Sequence, residues 1–266
     1  MADASFVRPP LQKGYGTSVV FLHGYPLNRG MWATQLETLS DRHRIVLPDL
    51  PGFGTASGEP VPDTLAGFAA AVAKTLDKAI GGPATIVGHS FGGYIALQLY
   101  QDRPDLFHGL VLVSTRSEAD APEAKAKRLA TAQRLQTPGE KLDVDAAAQG
   151  LVAEAVWKEQ GALADAVRGL VASAPNPALV GALKAIADRP DLTPVLAKIG
   201  VPTLVVWGAA DALIPPERTQ TLVPAIPGAR GVEIPKAGHL SPLEAPEAFD
   251  AAVKRFLPDA DARRPR

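Results

Sequence analysis

The chain has 266 residues, 27 basic against 28 acidic side chains, a formal charge of −1 and no cysteine. Its length suits one large domain, or a core with an insertion, that buries a sizeable interior. The charge balance offers nothing to a nucleic acid or an anionic membrane, and the missing cysteine excludes disulfides and thiol catalysis.

Met1-Ala2-Asp3-Ala4-Ser5 carries an early acid with no apolar run behind it, and the longest apolar stretches are strand-sized. The expectation is a cytoplasmic protein with no secretory signal and no membrane span. The first short β-branched run is 19–23. A helix over 29–40 follows, with Met31, Trp32, Gln35, Leu36 and Leu39 at helical spacing. Strand 44–48, helix 65–79, strand 84–88, helix 94–103 and strand 109–115 continue the alternation. The strands are continuous in Val, Ile and Leu, as strands covered on both faces should be. Strand alternating with helix implies the α/β class, with a mostly parallel, doubly wound sheet.

From Arg116 the alternation stops. Helical patterns run over 122–136, 145–158, 162–174 and 177–188, punctuated by Pro138-Gly139, Pro175-Asn176-Pro177 and Arg189-Pro190. Strands resume at 203–207 and 231–235, so the helices read as a cap inserted between two core strands. The expected organisation is core 1–115, helical cap 116–193 and core 194–266. The tail 258–266, ending in Arg-Arg-Pro-Arg, is expected to fray.

Strand 84–88 runs into Gly88-His89-Ser90-Phe91-Gly92-Gly93 and then directly into a helix. Strand, Gly-x-Ser-x-Gly and helix is the layout of a nucleophile elbow. The turn is too tight for a Cβ beside the serine, and the helix start offers unpaired N–H groups to a developing negative charge. A serine hydroxyl needs a base. Of the five histidines, His43 and His108 read as surface residues and His89 as structural. His239 lies in a Gly-flanked loop after the last strand, and is the candidate base. Asp211, just past strand 203–207, gives the chain order Ser…Asp…His and would orient His239. Asp120, after strand 109–115, is the alternative acid, whereas Asp49 is expected to brace the turn at Pro51-Gly52-Phe53-Gly54. The oxyanion donors would be the backbone N–H groups of Phe91 and of Tyr25, the latter in His23-Gly24-Tyr25-Pro26.

His23-Gly24-Tyr25-Pro26, Asp49-Leu50-Pro51-Gly52-Phe53-Gly54, Gly88-His89-Ser90-Phe91-Gly92-Gly93, Gly208-x-x-Asp211 and Gly238-His239, taken together and in order, resemble the motif set of the α/β-hydrolase superfamily over residues 19–256. In detail the chain looks most like its small bacterial carboxylesterase, enol-lactonase and perhydrolase-like members, and the resemblance implies a four-helix cap. Such members usually begin with an antiparallel hairpin. Residues 1–17 have room for one short strand at most.

A carboxylate nucleophile, as in related dehalogenases and epoxide hydrolases, is excluded by Ser90. No cofactor is expected. Gly52-x-Gly54 is followed by Ser57 where a dinucleotide fingerprint needs a third glycine, and no phosphate loop or metal-ligand spacing occurs. The leading expectation is hydrolysis of a small-molecule carboxylic ester or lactone through an acyl-enzyme. Perhydrolysis or C–C and enol-lactone cleavage by the same triad is one alternative, and a small-molecule receptor or regulatory protein on the hydrolase fold is another. The candidate pocket residues are Trp157, Leu213 and Leu240. A monomer or small homo-oligomer is expected.

Overall fold

The computed structural model describes residues 9–263. Among the described residues, seven strands form one sheet: β1 (Leu11–Lys13), β2 (Ser18–Leu22), β3 (Arg44–Leu47), β4 (Ala84–His89), β5 (Phe107–Val113), β6 (Thr203–Gly208) and β7 (Arg230–Ile234), in the order β1-β3-β2-β4-β5-β6-β7. Only β1 is antiparallel, with Leu11 opposite Leu47. It is the one short strand for which the N-terminal segment has room, and it lies exposed at the sheet edge.

The continuous apolar runs follow from burial on both faces. In β2, Val19 and Phe21 join one hydrophobic cluster while Val20 and Leu22 join the other. β5 divides likewise, Leu110 and Leu112 against Val111 and Val113. Helices α2 (Leu65–Ala79) and α3 (Phe91–Asp102) cover the first face, and α1 (Ala33–Leu39) and the long C-terminal helix (Pro246–Asp261) cover the second. Each fully buried Val, Leu or Phe contributes about 1.5–3 kcal/mol. The outer strand β7 departs from the expectation of two covered faces. It is largely exposed, as the outermost strand of the sheet with a partner strand on one side alone.

Between β5 and β6 lie α4 (Pro122–Leu135), α5 (Val144–Gln149), α6 (Glu154–Glu159), α7 (Ala162–Ala172), α8 (Asn176–Ala187) and the short α9 (Thr193–Leu196). The helical pattern expected over 145–158 is broken at 150–153, where Leu151, Val152 and Ala153 are buried. The reason is tertiary. Leu151 O accepts from Leu240 N–H and Ala153 N–H donates to Glu244, so part of this backbone is drawn to the segment after β7. The insertion does not stand apart from the core. Ala178, Leu179 and Ala182 of α8 belong to one cluster, and Val167 and Val171 of α7 to the other. Among the described residues, no single helix is long and apolar enough to cross a membrane. Helices α10 (Pro216–Gln220), α11 (Leu222–Ala225), α12 (Ser241–Glu244) and α13 (Pro246–Asp261) complete the chain. The part of the expected frayed tail that is described, 258–263, is mostly the last turns of α13, with Ala260 buried under the sheet. Residues 264–266 lie outside the described residues.

Candidate active site

β4 ends at His89 and α3 begins at Phe91, leaving Ser90 alone in the turn with φ 51° and ψ −111°. A non-glycine residue held at positive φ costs roughly 1–3 kcal/mol, so the surroundings must over-determine it. They do. Ser90 N–H donates to Val113 O at 2.9 Å, and Ser90 O accepts from Thr115 Oγ1 at 2.9 Å and from the N–H groups of Gly93 and Tyr94. Backbone crowds the turn on both sides. A Cβ on Gly92 would stand 2.4 Å from Leu22 O, and one on Gly88 would stand 2.5 Å from Gly92 O. Phe91 is the first residue of α3, so its N–H is not spent within the helix.

Beyond β6, Asp211 Oδ1 accepts the N–H groups of Leu213 (3.0 Å) and Ile214 (2.9 Å), which leaves Oδ2 for His239 Nδ1 at 2.8 Å. Because the carboxylate accepts, Nδ1 carries the proton and Nε2 is the bare nitrogen. Nε2 is buried with no hydrogen-bond partner among the described residues. Burial pushes the Asp211 pKa up, but the His239 imidazole and the Ile214 N–H outweigh it and hold the carboxyl below its ordinary range.

The alternative acid is committed elsewhere. Asp120 accepts from Arg116, Arg128 (2.7 Å) and Arg189 (2.9 Å), at the start of the helical insertion. Burial raises its pKa, and Arg128 and Arg189 more than reverse that. Asp49 braces its turn as expected, bonding Arg29 N–H, Thr55 N–H and Thr55 Oγ1, each at 2.8 Å.

His89 is structural. Its Nε2–H donates to His239 O at 2.9 Å, and the two rings meet edge to face at 4.8 Å. Burial, then the neighbouring His239, pushes its pKa down to about 3. His23 is likewise buried. Its Nδ1–H donates to Gly24 O and its Nε2 accepts Leu50 N–H, so one neutral tautomer is satisfied on both sides; burial lowers its pKa also. His43 is partly buried on Asp261 at 3.1 Å. The reading of His108 as a surface residue is wrong: β5 starts two residues earlier than expected, placing His108 inside the strand, almost fully buried and 3.7 Å from Asp261.

Sequence reasoning missed Glu244. This half-buried carboxylate accepts the N–H groups of Ala153 (2.8 Å), Gly238 (3.0 Å) and Leu240 (3.0 Å), fastening the His239 loop to the break between α5 and α6. Burial raises its pKa despite those three donors. An isolated acid five residues past a histidine carries no local pattern that would announce this.

Ser90 opens on a cavity of about 250 Å³ whose walls include Tyr25, Phe91, Tyr94, Arg116, Arg128, Ile186, Leu213 and Arg218. Of the candidate pocket residues, Leu213 lines it and Trp157 and Leu240 do not. Trp157 instead stacks under the Arg168 guanidinium, 4.2 Å from the ring centre, and packs against the hydrophobic cluster on the α13 side of the sheet. Leu240 points into that same cluster and is fully buried. Both side chains were needed to cover apolar surface, which the sequence pattern cannot distinguish from lining a pocket.

A doubly wound sheet with a strained serine at a strand–helix elbow and a carboxylate-bound histidine on neighbouring strand ends defines a hydrolase-type architecture. A profile described as the alpha/beta hydrolase family matches residues 19–252, and the chain belongs to that family. A pimeloyl-[acyl-carrier protein] methyl ester esterase of Aeromonas hydrophila is 29% identical over 259 residues, covering 92% of this chain and 96% of that one. A thermophilic esterase from Thermogutta terrifontis, solved with malate bound, superposes with TM-score 0.89 at 34% identity, over 95% of this chain and 93% of that one. The enol-lactonase from Burkholderia xenovorans superposes with TM-score 0.84 at 25% identity, over 94% and 95%.

Two expectations about stability follow. Gly92→Ala drives a methyl into the Leu22 carbonyl, which is backbone and cannot swing aside, so the substitution costs about 2–4 kcal/mol. Urea denaturation measures it; a loss below half a kcal/mol would show that the elbow relaxes. The second concerns acid. His23 and His89 stay neutral when folded, whereas an unfolded imidazole protonates near pH 6.5. Below that pH the unfolded chain binds more protons, so stability falls as pH drops from about 6.5 towards 3. Thermal melts across that window should show a falling Tm, with a shallower fall in His89→Gln. An unchanged slope in the variant would place the loss on other groups.

Proposed function

We propose that the protein hydrolyses a carboxylic ester or lactone through an acyl-enzyme, with Ser90 as nucleophile, His239 as general base and Asp211 as the carboxylate that orients it. The observation that carries this reading is the 2.8 Å Asp211–His239 bond, which fixes the proton on Nδ1 and leaves a buried, unpartnered Nε2 to take the serine proton. Apo sites of this kind often hold the serine–histidine pair loosely, tightening only around substrate.

The Ser90 oxygen adds to the substrate carbonyl as its proton passes to His239 Nε2. Asp211 stabilises the imidazolium. The tetrahedral oxyanion is received by the N–H groups of Phe91 and Tyr25, two residues that wall the same cavity as Ser90. Collapse expels the alcohol, protonated by His239, and leaves the acyl group on Ser90. Water, deprotonated by His239, then attacks the acyl carbon, and the acid leaves as Ser90 regains its proton. The helical insertion 116–193 would serve as the cap, a reading supported by Arg116, Ala124, Arg128 and Ile186, which come from it and line the same cavity as Ser90. The two esterases and the enol-lactonase named above support the same bond class.

A cavity of about 250 Å³ is smaller than the ~300–1,000 Å³ of drug-sized sites. With p-nitrophenyl esters of graded length, kcat/KM should therefore peak at two to four acyl carbons and fall for octanoate; a rise through octanoate would contradict it. Ser90→Ala should lower kcat by at least ~10³-fold with the fold retained. Asp211→Asn should cost ~10³–10⁴-fold, because an amide can hold the wrong imidazole tautomer, and Asp120→Asn far less. The reverse order of those two losses would overturn the assignment of the acid.

A further inference from the structure

The Ser90 cavity has charged walls. Arg116, Arg128 and Arg218 line it, and among the described residues no aspartate or glutamate does. The chain as a whole is balanced, so this is a local concentration and not a by-product of a basic protein. The nearby acids do not neutralise it. Asp120, fully buried, is shared among Arg116, Arg128 and Arg189, while Glu118 stands 3.6 Å from Arg218. These four guanidinium groups share only two carboxylates, Asp120 and Glu118.

The arrangement also presets geometry. Arg128 bonds Asp120 through Nε, which aims the guanidinium and leaves its outer nitrogens for something else. A guanidinium fork fixed in this way matches a carboxylate, taking both oxygens in parallel hydrogen bonds. The three arginines come from three places: Arg116 at the start of the insertion, Arg128 on α4 and Arg218 on α10. An incoming anion would meet all of them at once. Tyr25 and Tyr94 line the same cavity, and Ile186, Leu213 and Ile214 add apolar surface to it.

We propose that this cavity selects esters whose acyl part ends in a second, ionised carboxylate, held by Arg116, Arg128 and Arg218 while the ester carbonyl faces Ser90. The natural substrate class is thus the half-ester of a short dicarboxylic acid. Hydrolysis converts the half-ester to the dicarboxylate and an alcohol. The proposal rests on the hydrolase reading for its chemistry, but the anion site can be tested without it.

The binding arm uses the Ser90→Ala protein, which cannot acylate, and calorimetric titration with monomethyl succinate against methyl 4-methylpentanoate, in which an isopropyl group replaces the carboxylate. The half-ester should bind at least tenfold more tightly. Arg128→Gln and Arg218→Gln, each added to that background, should reduce the preference about tenfold. Arg218 is largely exposed, so its replacement carries no risk to folding, and circular dichroism checks Arg128→Gln, in which Asp120 keeps two partners. Equal binding of the two esters, or a preference that survives both substitutions, would overturn the proposal and make the cluster a structural ion-pair network. The kinetic arm compares kcat/KM for the same two esters with the unsubstituted protein. Hydrolysis of both without preference refutes the anion site and leaves the hydrolase reading intact. Selective binding without hydrolysis does the opposite.

Discussion

The elbow at Ser90 is the constraint on which the rest of the structure depends. A residue at positive φ, wedged between a strand and a helix that nearly touch, persists only if the sheet and α3 meet with no side chain between them. Glycines at 88, 92 and 93 permit that approach, towards Gly92 O, Leu22 O and the Thr115 side chain respectively. The same contact ties β2, β4 and β5 to α3. The serine therefore stands where three parallel strands end, at the carboxyl edge where α/β sheets present ligand sites. The strain is local, but the packing that holds it is drawn from the centre of the molecule.

Around this point the other site elements are fastened to one another. The His239 loop is gripped from two directions: His89 donates to its carbonyl from the elbow side, and Glu244 gathers the N–H groups of Gly238 and Leu240 together with that of Ala153. Gly238 makes room for this, since a Cβ there would stand 2.3 Å from Ala153 N. The helical insertion is thus bonded to the loop of the proposed base. A movement of the α5–α6 break would be felt at His239 through backbone hydrogen bonds.

The charges in and around the cavity are segregated. One carboxylate, Asp211, serves the histidine; another, Asp120, serves the arginines. In both cases burial alone would favour the neutral acid, and in both the partners reverse it. The two acids follow consecutive strands, β5 and β6, so the choice between them in the sequence was close. What separates them is the partner each one reaches.

The sequence by itself determined the sheet, the order of its helices and the elbow. Strands buried on both faces must be continuously apolar, as in Ser18–Leu22 and Phe107–Val113, and the Gly-x-Ser-x-Gly turn is a local steric requirement written in adjacent residues. The loops bearing Asp211 and His239 were legible for a related reason, each standing directly after a core strand. Where the helical pattern broke at 150–153, and which way Trp157, Leu240 and His108 faced, depended on partners far along the chain. The arginine wall is the extreme case. Arg116, Arg128 and Arg218 are scattered through the sequence and carry no common pattern, and each alone reads as a solvated side chain. Only tertiary structure decided that they converge. Convergence is a matter of distance across the fold, which periodicity and local propensity do not encode.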